Sequence, residues 1–224
     1  MRFALCLKGA HSIQTYVSHG FTDTIKQNSL ESFDNINKMI INNIKESGHE
    51  IDTIISTYDC DLGDYLIDLY KPKKYYKFDK EIMKYNKNMG AIHFESIACH
   101  NIKLLELCSE SDYDYIIITR FDLLFTQPYN NFPIDYDKFN INCKHTSGNS
   151  DDTLWIFSKK YSEELKDSLI EQIKSNNPVL KTNHFVNRTL ELHNVPIHYF
   201  YDMKTHNGQM YVYFQFNNRY TNNN

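Results

Sequence analysis

The chain has 224 residues, 41% of them hydrophobic, which is enough for one core in a single domain and too little for a second full domain. Its formal charge of -4 and pI near 6.2 exclude broad binding to nucleic acid or an anionic membrane, while leaving room for a local basic patch facing a phosphorylated small molecule. No apolar run approaches the roughly 20 residues of a membrane helix, and Phe3 to Leu7 is too short for the apolar part of a secretory signal.

In chain order, Arg2 to Leu7 is nearly all apolar and predicts a central strand that ends in Lys8-Gly9. A glycine there lets backbone approach a ligand and the lysine supplies a point charge, although a plain strand-to-helix turn accounts for both. Asn28-Ser29-Leu30-Glu31 reads as a helix start, with Leu30, Phe33, Ile36, Ile40 and Ile44 at helical spacing and Ser47-Gly48 as the stop. Ile51 to Ser56 predicts a second strand, followed by Thr57-Tyr58-Asp59-Cys60-Asp61. Asp59 is expected to contact a ligand, whereas Asp61 is explained by capping the helix that carries Leu62, Leu66 and Leu69. Lys71-Pro72 closes that helix, and Lys73 to Phe78 predicts a third strand. After a polar bridge, Ala91, Phe94, Ala98, Ile102, Leu105 and Cys108 mark an amphipathic helix whose His93 and His100 are ordinary surface or core histidines.

The stretch Tyr113 to Tyr129 organises the rest. Asp114 to Thr119 predicts a strand buried on both faces, as in the middle of a parallel sheet, because Ile116, Ile117 and Ile118 offer no polar side. Ligands of open α/β sheets sit outside the carboxyl ends of the strands, so Arg120 and Asp122 fall where chemistry is expected and Asp112 and Asp114 at the opposite end. Leu123 to Phe125 reads as an extension of this strand. The second half is mixed: a strand at Phe139 to Cys143, a loop at His145 to Ser150, then Asp151-Asp152-Thr153 ahead of a buried aromatic strand, Leu154 to Phe157. Two acids at that point are candidates for taking a hydroxyl proton. Helices are expected from Ser162 and from Thr182 to near Asn194, strands at Pro196 to Phe200 and Met210 to Phe216, and a polar tail at Asn217 to Asn224. His184, His193, His198 and His206 form no spacing signature for a metal. Alternating strands and helices through residue 120 predict stacked βαβ units: a single domain over 1–216 with a Rossmann-like, mostly parallel sheet flanked by helices. Cys6, Cys60, Cys99, Cys108 and Cys143 contain no C-x-x-C pair and read as reduced thiols of a soluble, cytoplasmic, unprocessed chain that leaves the sequon Asn187-Arg188-Thr189 unused.

The ordered pieces A-L-C-L-K-G (Ala4 to Gly9), I-I-S-T-Y-D (Ile54 to Asp59), L-Y-K-P-K-K-Y (Leu69 to Tyr75), I-T-R-F-D-L-L-F (Ile118 to Phe125) and D-D-T-L-W-I-F-S (Asp151 to Ser158) resemble small GT-A-like glycosyltransferases of polysaccharide gene clusters and large DNA viruses. The asparagine-, isoleucine-, lysine- and tyrosine-rich usage is also that of an AT-rich genome, as in giant viruses of amoebae, so a viral protein working in host cytoplasm is expected. The resemblance implies a GT-A fold and an enzyme of glycan biosynthesis that moves a sugar from a nucleotide-sugar donor to a glycan or glycoprotein acceptor. It implies Mn²⁺ or Mg²⁺ bridging the diphosphate through an acidic D-x-D motif, which stands here as Arg120-Phe121-Asp122, with Asp122 as the metal contact, directly or through water, and Arg120 on phosphate or positioning Asp122; a structural ion pair of the two beneath a loop is the other account. Lys8 and Gly9 are then expected at the donor phosphates or ribose, Thr57 and Asp59 beside base and ribose, and Asp152 with Asp151 on the acceptor. A catalytically inactive nucleotide- or sugar-binding module of the same fold is the alternative, since arginine replaces the first acid. A Rossmann-like methyltransferase or nucleotidyltransferase ranks last, for want of G-x-G-x-x-G after the first strand.

Overall fold

In the computed structural model the isoleucine run forms an inner strand of a seven-stranded sheet, flanked on both faces by helices. Residues 1–9, 22–79, 89–145, 147–150, 152–174, 186–202 and 213–216 are described, with backbone alone for 89–96 and 214–216. Asp151, Thr182, His184, His206, the His93 side chain and the tail 217–224 lie outside them.

Strand β1 (Arg2–Lys8) pairs in parallel with β2 (Glu50–Tyr58) on one side and β4 (Tyr115–Arg120) on the other, and β3 (Lys74–Phe78) extends the sheet beyond β2. On the far side of β4 come β7 (Leu154–Ser158), β6 (Phe139–Lys144) and β8 (Ile197–Asp202), giving the order β3-β2-β1-β4-β7-β6-β8. Only β7 is reversed within this sheet: it is antiparallel to both β4 and β6, while β6 and β8 are parallel to each other. The expected mostly parallel α/β sheet with a mixed second half is therefore present.

Both faces of the inner strands are covered, which is why their sequences do not alternate. Phe3, Leu5, Leu7, Ile55 and Ile117 pack toward α1 (Asp23–Ile36), a π-helical turn (Asn37–Ile41), α2 (Asn42–Glu46) and α3 (Asp61–Tyr70). Ala4, Cys6, Ile54, Ile116, Ile118 and Trp155 pack toward α4 (Met89–Ser109), α5 (Ser162–Lys174) and α6 (Val186–Leu192). Each large aliphatic side chain so buried contributes about 1.5–3 kcal/mol. All five cysteines are free thiols, with Cys6 and Cys108 Sγ atoms 3.4 Å apart in the second core. Among the described residues no helix is long and apolar enough to cross a membrane.

Three local expectations are corrected. Helix α1 starts at Asp23, where the Thr22 hydroxyl accepts from Ile25 N at 3.3 Å. Asn28 and Ser29 are cap-forming residue types, but here they lie buried within the helix. Asp61 is the first helical residue of α3 and does not cap it; Cys60 stands at the cap without a side-chain bond, so Asp61 acts only as a carboxylate in the first turn. Leu123 to Phe125 does not prolong β4. The chain turns at Phe121 and Asp122 and continues as β5 (Leu123–Phe125), antiparallel to β9 (Phe214–Phe216) in a separate two-stranded sheet. Buried Phe121, edge-on to Tyr70 at 5.5 Å, anchors that turn. The Asn35 amide group then fixes the new strand, accepting from Phe125 N at 2.6 Å and donating to Phe125 O at 3.1 Å.

A candidate anion site at the carboxyl edge of the sheet

Lys8, the last residue of β1, stands opposite Ser56 of β2 and Arg120 of β4 in the parallel ladders. Strand pleating turns all three toward the same face, since Cys6, Ile54 and Ile118, each two residues earlier, face α4 to α6. The reversed strand completes the edge. Because β7 runs against β4, with Leu154 opposite Thr119, its first residues lie where β1 and β4 end. Asp152 and Thr153 are thereby carried to Lys8 and Arg120, and the Thr119 hydroxyl donates to Thr153 O at 3.0 Å to hold them there.

Lys8 is 4% exposed and its ammonium donates to the backbone oxygen of Asp152 at 2.8 Å. The same nitrogen lies 4.7 Å from the ring centroid of Trp155, the only tryptophan, in a cation–π contact that is strengthened by the absence of bulk water. Gly9 continues the chain at φ +81° and donates from its N–H to Ser56 O at 3.0 Å, a conformation that suits glycine.

Arg120 grips Asp122 with two parallel bonds, Nε to Oδ1 at 2.7 Å and Nη2 to Oδ2 at 2.5 Å. The arginine side chain remains 28% exposed and the aspartate 14%. Two-pronged, charge-assisted pairs of this kind are among the stronger side-chain contacts and fix the plane of the guanidinium.

Beneath this edge, His100 of α4 meets the Ser56 hydroxyl at 2.8 Å through Nδ1. Its ring is 1% exposed and lies edge-on to Tyr58 and Phe78, at 4.7 and 4.8 Å. Burial, and then the charge of Lys8, lower its pKa to about 3, so the imidazole is neutral and Lys8 is the cation of the pair. Its Nε2 has no hydrogen-bond partner among the described residues. His100 is thus a core histidine, one of the two ordinary places expected for it, and its contact with Ser56 is what the sequence reading missed. The available signal was Ser56, a polar residue closing an apolar strand beside the lysine-ended one.

The structure brings Lys8, Arg120, Asp122 and Asp152 together, the last with 8% exposure. Thr57 and Asp59 stand apart. Thr57 is fully buried on the opposite face, where its methyl carbon approaches Gly63 of α3. Asp59 lies past the end of β2 with its carboxylate on Lys77 Nζ at 2.7 Å and 64% exposed, and its N–H donates to Phe78 O at 2.8 Å. Two strand spacings, roughly 10 Å, separate β2 from β4.

Asp122 is the acid a divalent cation would use, and Arg120 covers both of its oxygens. Among the described residues no three His, Cys, Asp or Glu side chains stand together as a metal site.

No protein-family model and no curated protein matches this chain. It is similar in structure to the Aquifex aeolicus VF5 protein Aq1419, with a TM-score of 0.44 and 11% identity over 94% of this chain and 91% of that one. So remote a likeness carries nothing about function.

Proposed function

We propose that the chain is a nucleotide-sugar-dependent glycosyltransferase of the GT-A-like kind, acting on a glycan or glycoprotein acceptor. What supports this reading most is the meeting of Lys8, Arg120, Asp122 and Asp152 at one carboxyl edge, the ligand-binding side of an open α/β sheet. A diphosphate is the anion that suits a fork-shaped guanidinium backed by a buried ammonium.

In the transfer, the bond between the anomeric carbon and the phosphate oxygen breaks, and the nucleoside diphosphate leaves with the electron pair. The acceptor hydroxyl oxygen forms the new bond. In an inverting transfer its proton passes to a carboxylate, the role expected of Asp152 with Asp151. A binding module that has lost catalysis is the second reading, favoured by the engagement of Asp122 with Arg120.

The test is a thermal-shift screen of UDP-, GDP-, CMP- and dTDP-sugars, each with and without Mn²⁺, followed by a sugar-release assay on any donor that binds. A donor at about 100 times its dissociation constant adds ~2.7 kcal/mol of stability. Binding with turnover supports the transferase, and binding without turnover supports the module. If no donor moves the melting point, both readings fail.

A further inference from the structure

Two of the five free thiols face each other in the core: the Sγ atoms of Cys6 and Cys108 stand 3.4 Å apart, in contact through an S–H···S hydrogen bond. Cys6 lies within β1, held between Ile54 of β2 and Ile118 of β4 and closed to solvent. Cys108 is also buried, but it stands one residue before the end of α4. The last turn of a helix lacks part of its hydrogen-bond ladder and opens at lower cost than an inner strand, so of the two sulfurs Cys108 is the first to meet solvent. A disulfide places its sulfurs about 2 Å apart, and closure therefore asks for roughly 1.4 Å of approach, which side-chain rotation and a slight shift of the helix end supply.

We propose that Cys6 and Cys108 form an oxidisable dithiol, closed to a disulfide by a small disulfide oxidant that reaches Cys108 when the last turn of α4 opens. In the first step the Cys108 sulfur, having lost its proton, bonds to one sulfur of the oxidant, whose S–S bond breaks and releases a small thiol. In the second, the Cys6 sulfur loses its proton and bonds to Cys108, and the other small thiol leaves. Two electrons and two protons pass from the protein to the oxidant. Burial, and then the hydrogen bond with Cys108, push the Cys6 pKa up, so Cys6 is inert toward a dissolved oxidant and acts only on the sulfur held beside it. Reclosure of the helix end drives the second step, because it returns the Cys108 sulfur to Cys6. The bond pins the end of α4 to the strand that ends in Lys8, and in a reducing compartment it forms only transiently.

The experiment treats the folded full chain with hydroxyethyl disulfide, removes the oxidant, unfolds the protein in urea with N-ethylmaleimide, and reads labels and tryptic peptides by mass spectrometry. Native protein is compared with Cys99→Ser, which removes the exposed thiol, and with Cys6→Ser and Cys108→Ser. In native protein and Cys99→Ser we expect loss of the labels at Cys6 and Cys108 with no oxidant fragment retained on either, the peptide Phe3–Lys8 joined to Leu104–Arg120, and full reversal by dithiothreitol. Cys6→Ser should stop at a mixed disulfide on Cys108, and Cys108→Ser should leave Cys6 labelled. Labels retained at both positions in native protein, or a joined peptide that forms only when urea is present during oxidation, overturn the proposal. An oxidant fragment on Cys6 in Cys108→Ser overturns the order of attack. Should the serine variants fail to fold, the joined peptide from folded native protein, or its absence, decides alone.

Discussion

The ammonium of Lys8 donates to the backbone oxygen of Asp152 at 2.8 Å, joining residues 144 positions apart in sequence. It ties the end of β1 to the approach of β7, the two segments that must meet for the edge to exist. Lys8→Met keeps the apolar stem and removes the donor. We expect a loss of about 1.5–3 kcal/mol, the worth of a hydrogen bond from a charged donor. Urea titration followed by the emission of Trp155, which lies under the lysine, measures it; an unchanged midpoint would sink the assignment.

His100 predicts a pH dependence. Its folded pKa, lowered to about 3 first by burial and then by the Lys8 charge, lies below the ordinary histidine value of 6.5. Between those values the unfolded chain binds the proton and the folded chain does not. The stabilising contribution is thus complete above about pH 6.5 and is lost progressively as pH falls toward the folded pKa. His100→Asn, which removes the titrating group and keeps a polar atom near Ser56, should have a shallower fall in urea midpoint between pH 7 and pH 5, on the order of one unit of linkage at 1.4 kcal/mol. Parallel profiles for the two proteins would rule it out.

Gly63 sits inside α3, where a Cβ would overlap the backbone oxygen of Tyr58. The glycine is what lets α3 lie directly on the end of β2. Gly63→Ala should therefore destabilise despite alanine's better helix propensity, by about 1–3 kcal/mol from forced backbone movement. A rise in melting temperature would show that the helix can move away without cost.

Asn35 predicts a link between α1 and the segment leaving the candidate site. Its side chain satisfies both the N–H and the carbonyl of Phe125, three residues past Asp122. Asn35→Ala is expected to cost about 1–3 kcal/mol, and its amide exchange at Leu124 and Phe125 should accelerate more than that of β1. Uniform acceleration across the sheet would instead mark a purely global effect.

How far the sequence disclosed this arrangement depends on what each residue type encodes. Ile116 to Ile118 and Phe3 to Leu7 announced inner strands, because a run without a polar side is stable only when covered on both faces. The same absence of alternation concealed the direction of β7: Leu154-Trp155-Ile156-Phe157 reads alike from either end, so its reversal appears only in the pairing with β4. Leu123 to Phe125 continued an apolar run and gave no sign of leaving the sheet; the departure is set by the burial of Phe121 against Tyr70. Arg120 and Asp122 were identified from their place after the isoleucines, and an ion pair between them was one of the two accounts the sequence allowed; the structure shows that pair. Spacing of two residues allows the pair without requiring it. The contact of Ser56 with His100 was not legible because it joins β2 to a helix 44 residues later.

The reversal of β7 also has a consequence for how the protein is made. Lys8, Ser56 and Arg120 belong to strands that associate in parallel through the first 120 residues, whereas Asp152 joins them only once a strand from further along docks against the grain. Until β7 docks, the Lys8 ammonium lacks the Asp152 carbonyl that seats it, so the edge is complete only after the ribosome has passed Leu154–Ser158.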